Sequence, residues 1–159
     1  MRLTVVMTMA ALACSCCAQA QSNVEVFSGQ SVASQLTALA QVAKGSGGSG
    51  ATLGDYKSHA IKLSVRTATG GAEAHAHYDD IFLVTEGKAD LITGGSVTNA
   101  KTDSDGETKG SSIQNGKSQT IAKGDVVHIP AGTPHQLILA PGSIYSSIVI
   151  KVREASEQH

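Results

Sequence analysis

Apolar positions along the chain change their period near residue 57. Before that point, Val32, Leu36, Leu39 and Ala43 recur at steps of four, three and four, which is one face of a helix. Ser31 suits its start and Lys44-Gly45 its end, so a helix is predicted over "SVASQLTALAQVAKG". The apolar stripe is narrow, which predicts packing on a surface. Ahead of it, "NVEVF" reads as a short strand or extended arm. "GSGGSG", from Gly45 to Gly50, contains G-x-G-x-x-G, but here the helix precedes the glycines, the wrong order for a dinucleotide site. A flexible linker is expected there.

Beyond Lys57 the period becomes two. In "HAIKLSVR", His59, Ile61, Leu63 and Val65 share one face, and Lys62, Ser64 and Arg66 the other, as in a half-buried strand. "AHAHY", "IFLVTEG", "KADLITGG", "QTIAKG", "DVVHIP", "HQLILA" and "SIYSSIVIKVRE" follow as short strands broken by glycine, proline or asparagine turns. An all-β sandwich or barrel with one N-terminal helix is predicted. Phe82, Val84, Leu137 and Ile148 are expected in its core. Asn99 to Ser118 is polar and turn-rich, and reads as one long mobile loop. Its "DSDGE" does not make a calcium loop: with Gly106 at the conserved glycine position, Lys101 and Ser112 fall on the terminal ligands.

The first twenty residues stand outside this pattern. Arg2, the apolar run "LTVVMTMAALAC" and Ala18-Gln19-Ala20 form a secretory signal peptide pattern over residues 1–20, with cleavage after Ala20. The run is short for a membrane span. A lipid-modified cysteine ranks behind cleavage, because "ALAC" lacks a leucine three places before Cys14. The expected organisation is a signal peptide at 1–20, then an arm, helix and Gly/Ser linker at 21–50, then a barrel at 51–159. A secreted or periplasmic location follows. All three cysteines lie in the signal segment, so disulfides and a thiol nucleophile are excluded from the remainder. Removing Arg2 from 12 basic and 13 acidic residues leaves 11 against 13, or −2. That balance offers no footprint for nucleic acid, nor for a membrane surface once the signal is gone.

The candidate chemistry lies in "HAHYDD", from His75 to Asp80. Alternate residues of a strand point to one face, so His75 and His77 would project together. Asp80, after a turn at Tyr78-Asp79, could direct its carboxylate back to them. His135 follows the turn made by Pro130, Gly132 and Pro134. Such a mixed nitrogen and oxygen set suits a divalent cation. Solvated strand histidines are the plainer alternative. His59 reads as a hydrogen-bonded core histidine before a substrate contact, and His128 as structural or exposed; terminal His159 is set aside. Glu73 is in phase with the histidines and Tyr78 is not. No G-x-S-x-G elbow is present.

"HAHYDDIFLVTEG" with "GDVVHIPAGTPH" resembles the paired motifs of the cupin superfamily. Gly124, Pro130, Gly132 and His135 match the second motif, with Leu139 where asparagine closes it. His75, His77 and the step from Asp80 to Gly87 match the first. Aspartate there replaces glutamate, the gap from His77 is one residue short, and the leading glycine, Gly70, is one residue off. The resemblance covers Ser58 to Val152. It implies a small cupin-type β-barrel, a double-stranded β-helix or jelly roll, of the quercetin-dioxygenase-like kind. It also implies a divalent metal ion (iron, manganese, nickel or zinc) held by His75, His77, Asp80 and His135. Three roles stay open for the carboxylate: Asp80 ligates, Asp80 holds a metal-bound water, or Asp79 substitutes. The expected function is an exported metal-dependent cupin acting on a small molecule in the barrel, as a dioxygenase, isomerase or lyase. The alternative is a non-catalytic module that binds a sugar or other small molecule. A homodimer, with "NVEVF" as an exchanged arm, is expected by the same analogy.

Overall fold

A computed structural model describes residues 24–154. The signal peptide at 1–20 and its cleavage after Ala20 lie outside the described residues, as do Asn23 and His159. Val24 to Ser28, the rest of "NVEVF" and its neighbour, form an irregular arm. Ser28 then caps helix α1 (Gly29–Ser46), accepting a hydrogen bond from the Ser31 backbone N–H at 3.2 Å. The helix ends at Gly47, whose φ of 82° frees its N–H to reach the Ala43 carbonyl at 2.7 Å. Ser28 and Gly47 thus bound the helix, in place of the expected Ser31 and Gly45.

The strands are β1 (Gly48–Asp55), β2 (His59–Arg66), β3 (Ala72–His75), β4 (Tyr78–Glu86), β5 (Lys88–Thr93), β6 (Ser96–Thr98) and β7 (Lys101–Thr102). They continue with β8 (Glu107–Gly110), β9 (Ser112–Gln114), β10 (Lys117–Ala122), β11 (Val126–Ile129), β12 (His135–Ile138) and β13 (Tyr145–Arg153). One sheet has the order β1-β2-β13-β4-β11, and the other β10-β5-β12-β3-β8-β7. A small ribbon joins β6 to β9. Every pairing is antiparallel.

Two segments that read as irregular are ordered by pairing. Gly48 to Gly50 is not a linker but the start of β1, in register with Arg66 to Ser64 of β2. A ladder needs backbone groups only, and a Cβ on Gly50 would meet the Leu63 carbonyl oxygen at 2.8 Å. The expected long loop from Asn99 to Ser118 instead supplies β7, β8, β9 and the start of β10. Asp103 closes the β7–β8 turn, its carboxylate accepting from the Asp105 and Glu107 backbone N–H groups at 3.0 Å each.

The apolar core lies between the sheets: Phe82, Val84, Ala89, Leu91, Ile121, Ile129, Leu137, Leu139 and Tyr145. Phe82, Val84 and Leu137 occupy the core as expected. Ile148 does not, because its register partner Leu83 faces outward. The same argument reverses the reading of β2. Ala60, Lys62 and Ser64 sit opposite Lys151, Val149 and Ser147, which in turn face Asp80, Phe82 and Val84. The polar face of β2 therefore lines the interior, and Leu63 and Val65 point outward. Helix α1 lies against β1 and β2 there, tied by Ser49 Oγ to the Leu39 carbonyl at 2.7 Å and Thr67 Oγ1 to the Ala43 carbonyl at 2.6 Å. The helix is a surface-packing element, as its narrow stripe implies.

Candidate metal centre

Strand β3 ends at His75, and Ala76-His77 makes the turn into β4. Alternation therefore runs backward from His75 to Glu73, not forward to His77. Glu73 and His75 face inward together. Antiparallel β12 brings His135 opposite Glu73, and Asp80 enters from β4 in the facing sheet. Ligand atoms of Glu73, His75 and His135 all lie within 4.8 Å of one another. Asp80 Oδ2 is 3.2 Å from His75 Nε2 and 3.6 Å from His135 Nε2, and Glu73 Oε1 is 3.5 Å from His135 Nε2.

The outer ring nitrogens are already engaged. His75 Nδ1 is 2.6 Å from the Glu107 carboxylate, and His135 Nδ1 is 3.0 Å from the Thr133 carbonyl. A carbonyl only accepts, so His135 Nδ1 carries the proton, leaving a lone pair on Nε2 when the ring is neutral. The Glu107 contact favours the same tautomer for His75. Both Nε2 atoms are buried and lack a partner in hydrogen-bonding geometry. Two orphaned acceptors aimed at one point, with carboxylates beside them, fit a cation better than they fit each other.

Size supports the fit. Donors held at about 2.0–2.2 Å from one ion are at most about 4.4 Å apart. The observed cluster needs to contract by only a few tenths of an ångström. Its electrostatics also call for positive charge. Burial raises the pKa of Asp80, but His75 and the Lys151 ammonium at 2.9 Å outweigh it and hold the carboxyl below its usual range. Glu73 is also depressed: burial opposes ionisation, and His135, His75 and Arg66 overcome it. His75 is pushed upward, because Asp80 and Glu73 outweigh the opposing effects of burial and Lys151.

Around the cluster opens a cavity of about 1230 Å³, walled by both sheets. No family model matches the chain, and no curated protein matches it. Among solved structures, one from Klebsiella pneumoniae, described as an uncharacterized conserved protein with a double-stranded beta-helix domain, aligns with a TM-score of 0.57. It is 12% identical over 82% of this chain and 91% of that one. The chain has the cupin fold.

A predicted oxalate decarboxylase from Thermotoga maritima aligns with a TM-score of 0.50 and 14% identity, over 67% of this chain and 81% of that one. The DMSP lyase DddQ from Ruegeria pomeroyi DSS-3 aligns at 0.49 and 17% identity over 70% of this chain. This chain spans 49% of that longer protein.

Within this cupin fold, the expected site residues separate. His75, Asp80 and His135 meet inside the barrel. His77 does not join them: it is exposed in the turn at the cavity mouth. Asp79 faces the other way, 3.0 Å from His128 Nε2 and accepting from the Ala131 N–H at 2.8 Å. Tyr78, expected off the histidine face, lines the cavity because the turn restarts the alternation. His59 does not line it; the ring packs on Tyr56, with centroids 4.9 Å apart. Glu73 joins the cluster and Glu107 supports it. Phase alone pointed to Glu73. Nothing local pointed to Glu107, which reaches His75 only through the β3–β8 pairing.

Proposed function

We propose that this chain is an exported, metal-dependent cupin that converts a small molecule inside its barrel. In this reading Glu73, His75 and His135 hold a divalent cation, and Asp80 steadies the site from Lys151. The observation that carries it is the pair of buried Nε2 atoms with no partner in hydrogen-bonding geometry, on rings whose Nδ1 atoms are engaged elsewhere. Three carboxylates, of Glu73, Asp80 and Glu107, also surround the two rings, with Lys151 paired to Asp80.

Two imidazoles and a carboxylate with open positions suit iron, manganese, nickel or zinc, which would supply Lewis-acid or dioxygen-binding chemistry. The chain's own residues do the rest. Glu107 fixes the orientation of the His75 ring, Lys151 keeps Asp80 ionised, and Phe82 borders the His135 ring with centroids 6.3 Å apart. Export rests on the signal pattern at 1–20. A homodimer is part of the proposal, supported by the outward aliphatic face of Ile61, Ile81 and Ile150; sedimentation showing only monomer would remove it.

The test is elemental analysis of the full chain purified from its export compartment, beside His135→Ala. The expected result is bound metal in the parent and its loss in a variant that still melts cooperatively. Equal metal in both would end the proposal. Metal-dependent loss of a supplied substrate would then separate an enzyme from a binding module, which gains stability from its ligand without turnover.

A further inference from the structure

The β2 wall of the cavity carries two cations, Lys62 and Arg66, the second within electrostatic reach of Glu73. Strand β2 directs Lys62, Ser64 and Arg66 inward beside Val149, Ser147 and Tyr145 of β13. On the same wall, Lys151 pairs with Asp80 and Arg153 with Asp55, at 2.9 and 3.2 Å. Among the described residues, Lys62 and Arg66 make no ion pair. A cation facing a cavity without a partner is poised for an anion that arrives with the ligand.

Arg66 is seated, not loose. Its guanidinium occupies space left by missing side chains: a Cβ on Gly70 would overlap it, and one on Gly48 would meet Nη1 at 3.6 Å. Ser64 and Ser147 line the adjoining wall. A planar cationic fork and two hydroxyls form a set of donors; Lys62, four residues along the strand from Arg66, adds positive charge to the same wall, and Glu73 is an acid within electrostatic reach of Arg66.

We infer that Arg66, with the Ser64 and Ser147 hydroxyls and the positive field of Lys62, binds a carboxylate group of the small molecule in the cavity that also holds Glu73, His75 and His135. The inference rests on the small-molecule reading of the cavity, and does not need the metal. A carboxylate fits better than a phosphate. The guanidinium fork matches two coplanar oxygens, and Glu73, Asp80 and Glu107 in the same cavity disfavour a dianion.

The test is calorimetric titration of the full chain, metal-free and metal-loaded, with acetate, lactate, succinate and benzoate, their uncharged amides, and inorganic phosphate. At least one carboxylate is expected to bind while its amide does not. Arg66→Met should weaken that binding about tenfold or more, the loss of a charge-assisted pair. Gly70→Ala, which displaces the guanidinium, should do the same, and Arg66→Lys should fall between. Lys88→Met, outside the cavity, controls for a general loss of positive charge and should change affinity less than Arg66→Met. Thermal melts show that each variant folds. No carboxylate binding, equal binding of the amide, tighter binding of phosphate, or indifference to both Arg66→Met and Gly70→Ala would each overturn the inference. Arg66-dependent carboxylate binding in a chain that takes up no metal would sustain it while removing the metal proposal; metal uptake without carboxylate binding would do the reverse.

Discussion

Where β5, β10 and β11 meet, Ala89, Leu91, Ile121 and Ile129 are each no more than 4% exposed and belong to one apolar cluster. Across the same interior, under β1, β2 and β8, Lys62, Arg66 and Lys109 line open space. The first region is closed by the turn between β10 and β11, whose Lys123 and Gly124 N–H groups bond to the Gly87 and Val84 carbonyls at 2.9 Å each. One barrel thus has a dry half that holds the sheets together and a wet half that contributes little to that. Charged side chains facing a solvated cavity bury little apolar area, and burial is what stabilises. Their cost to the fold is offset elsewhere, which points to use rather than structure.

Substitution at the dry half should separate the two most sharply. Leu91→Ala removes a core side chain that the closed end cannot replace, and should cost about 2–5 kcal/mol in denaturant unfolding. Metal per folded molecule should be unchanged. If the metal site emptied as well, the two halves would not be independent.

Glu107→Gln is next in size and acts on the cluster between the halves. The Glu107 side chain is 24% exposed, and its contact to His75 Nδ1 is what turns Nε2 inward. Weakening such a carboxylate support typically lowers metal affinity about 10–100-fold. Competition with a chelator of known affinity measures it. Unfolding free energy without metal should move far less than in Leu91→Ala; a loss of the same size would make Glu107 a framework residue.

The comparison also accounts for what the sequence shows of itself. The dry half is legible because burial imposes period two on β4, where Phe82 and Val84 alternate with outward residues. The wet half obscures the same signal. On β2 the apolar face is outside, under the helix, and the polar face is inside, so alternation marks the strand and misplaces its direction. Spacing brought His75, Asp80 and His135 into one group because His75 ends β3, His135 opens β12, and Asp80 follows closely on the turn into β4. His77 was included by carrying the strand two residues past its end. Glu107 and the glycine-rich β1 depend on pairings with distant strands, and backbone ladders leave no mark in side-chain chemistry.

The smallest expected effect lies on the outer surface behind the site, at Asp79. Side-chain hydrogen bonding to His128 and the Ala131 N–H holds its carboxyl below its ordinary value of 3.8, against the weaker upward effects of desolvation and Asp80. A depressed folded-state pKa contributes stability that is fully present above the unfolded value and is lost as pH falls through the folded one. Asp79→Asn should therefore lower the urea midpoint slightly at pH 7, and the gap to the parent should shrink as pH drops below about 3.8. The Ala131 contact fixes the turn that delivers His135, so the variant tests whether the outer face tunes the inner one. Unchanged metal affinity in Asp79→Asn would confine Asp79 to the framework. A measurable fall would show that the turn, and not β12 alone, sets where His135 points.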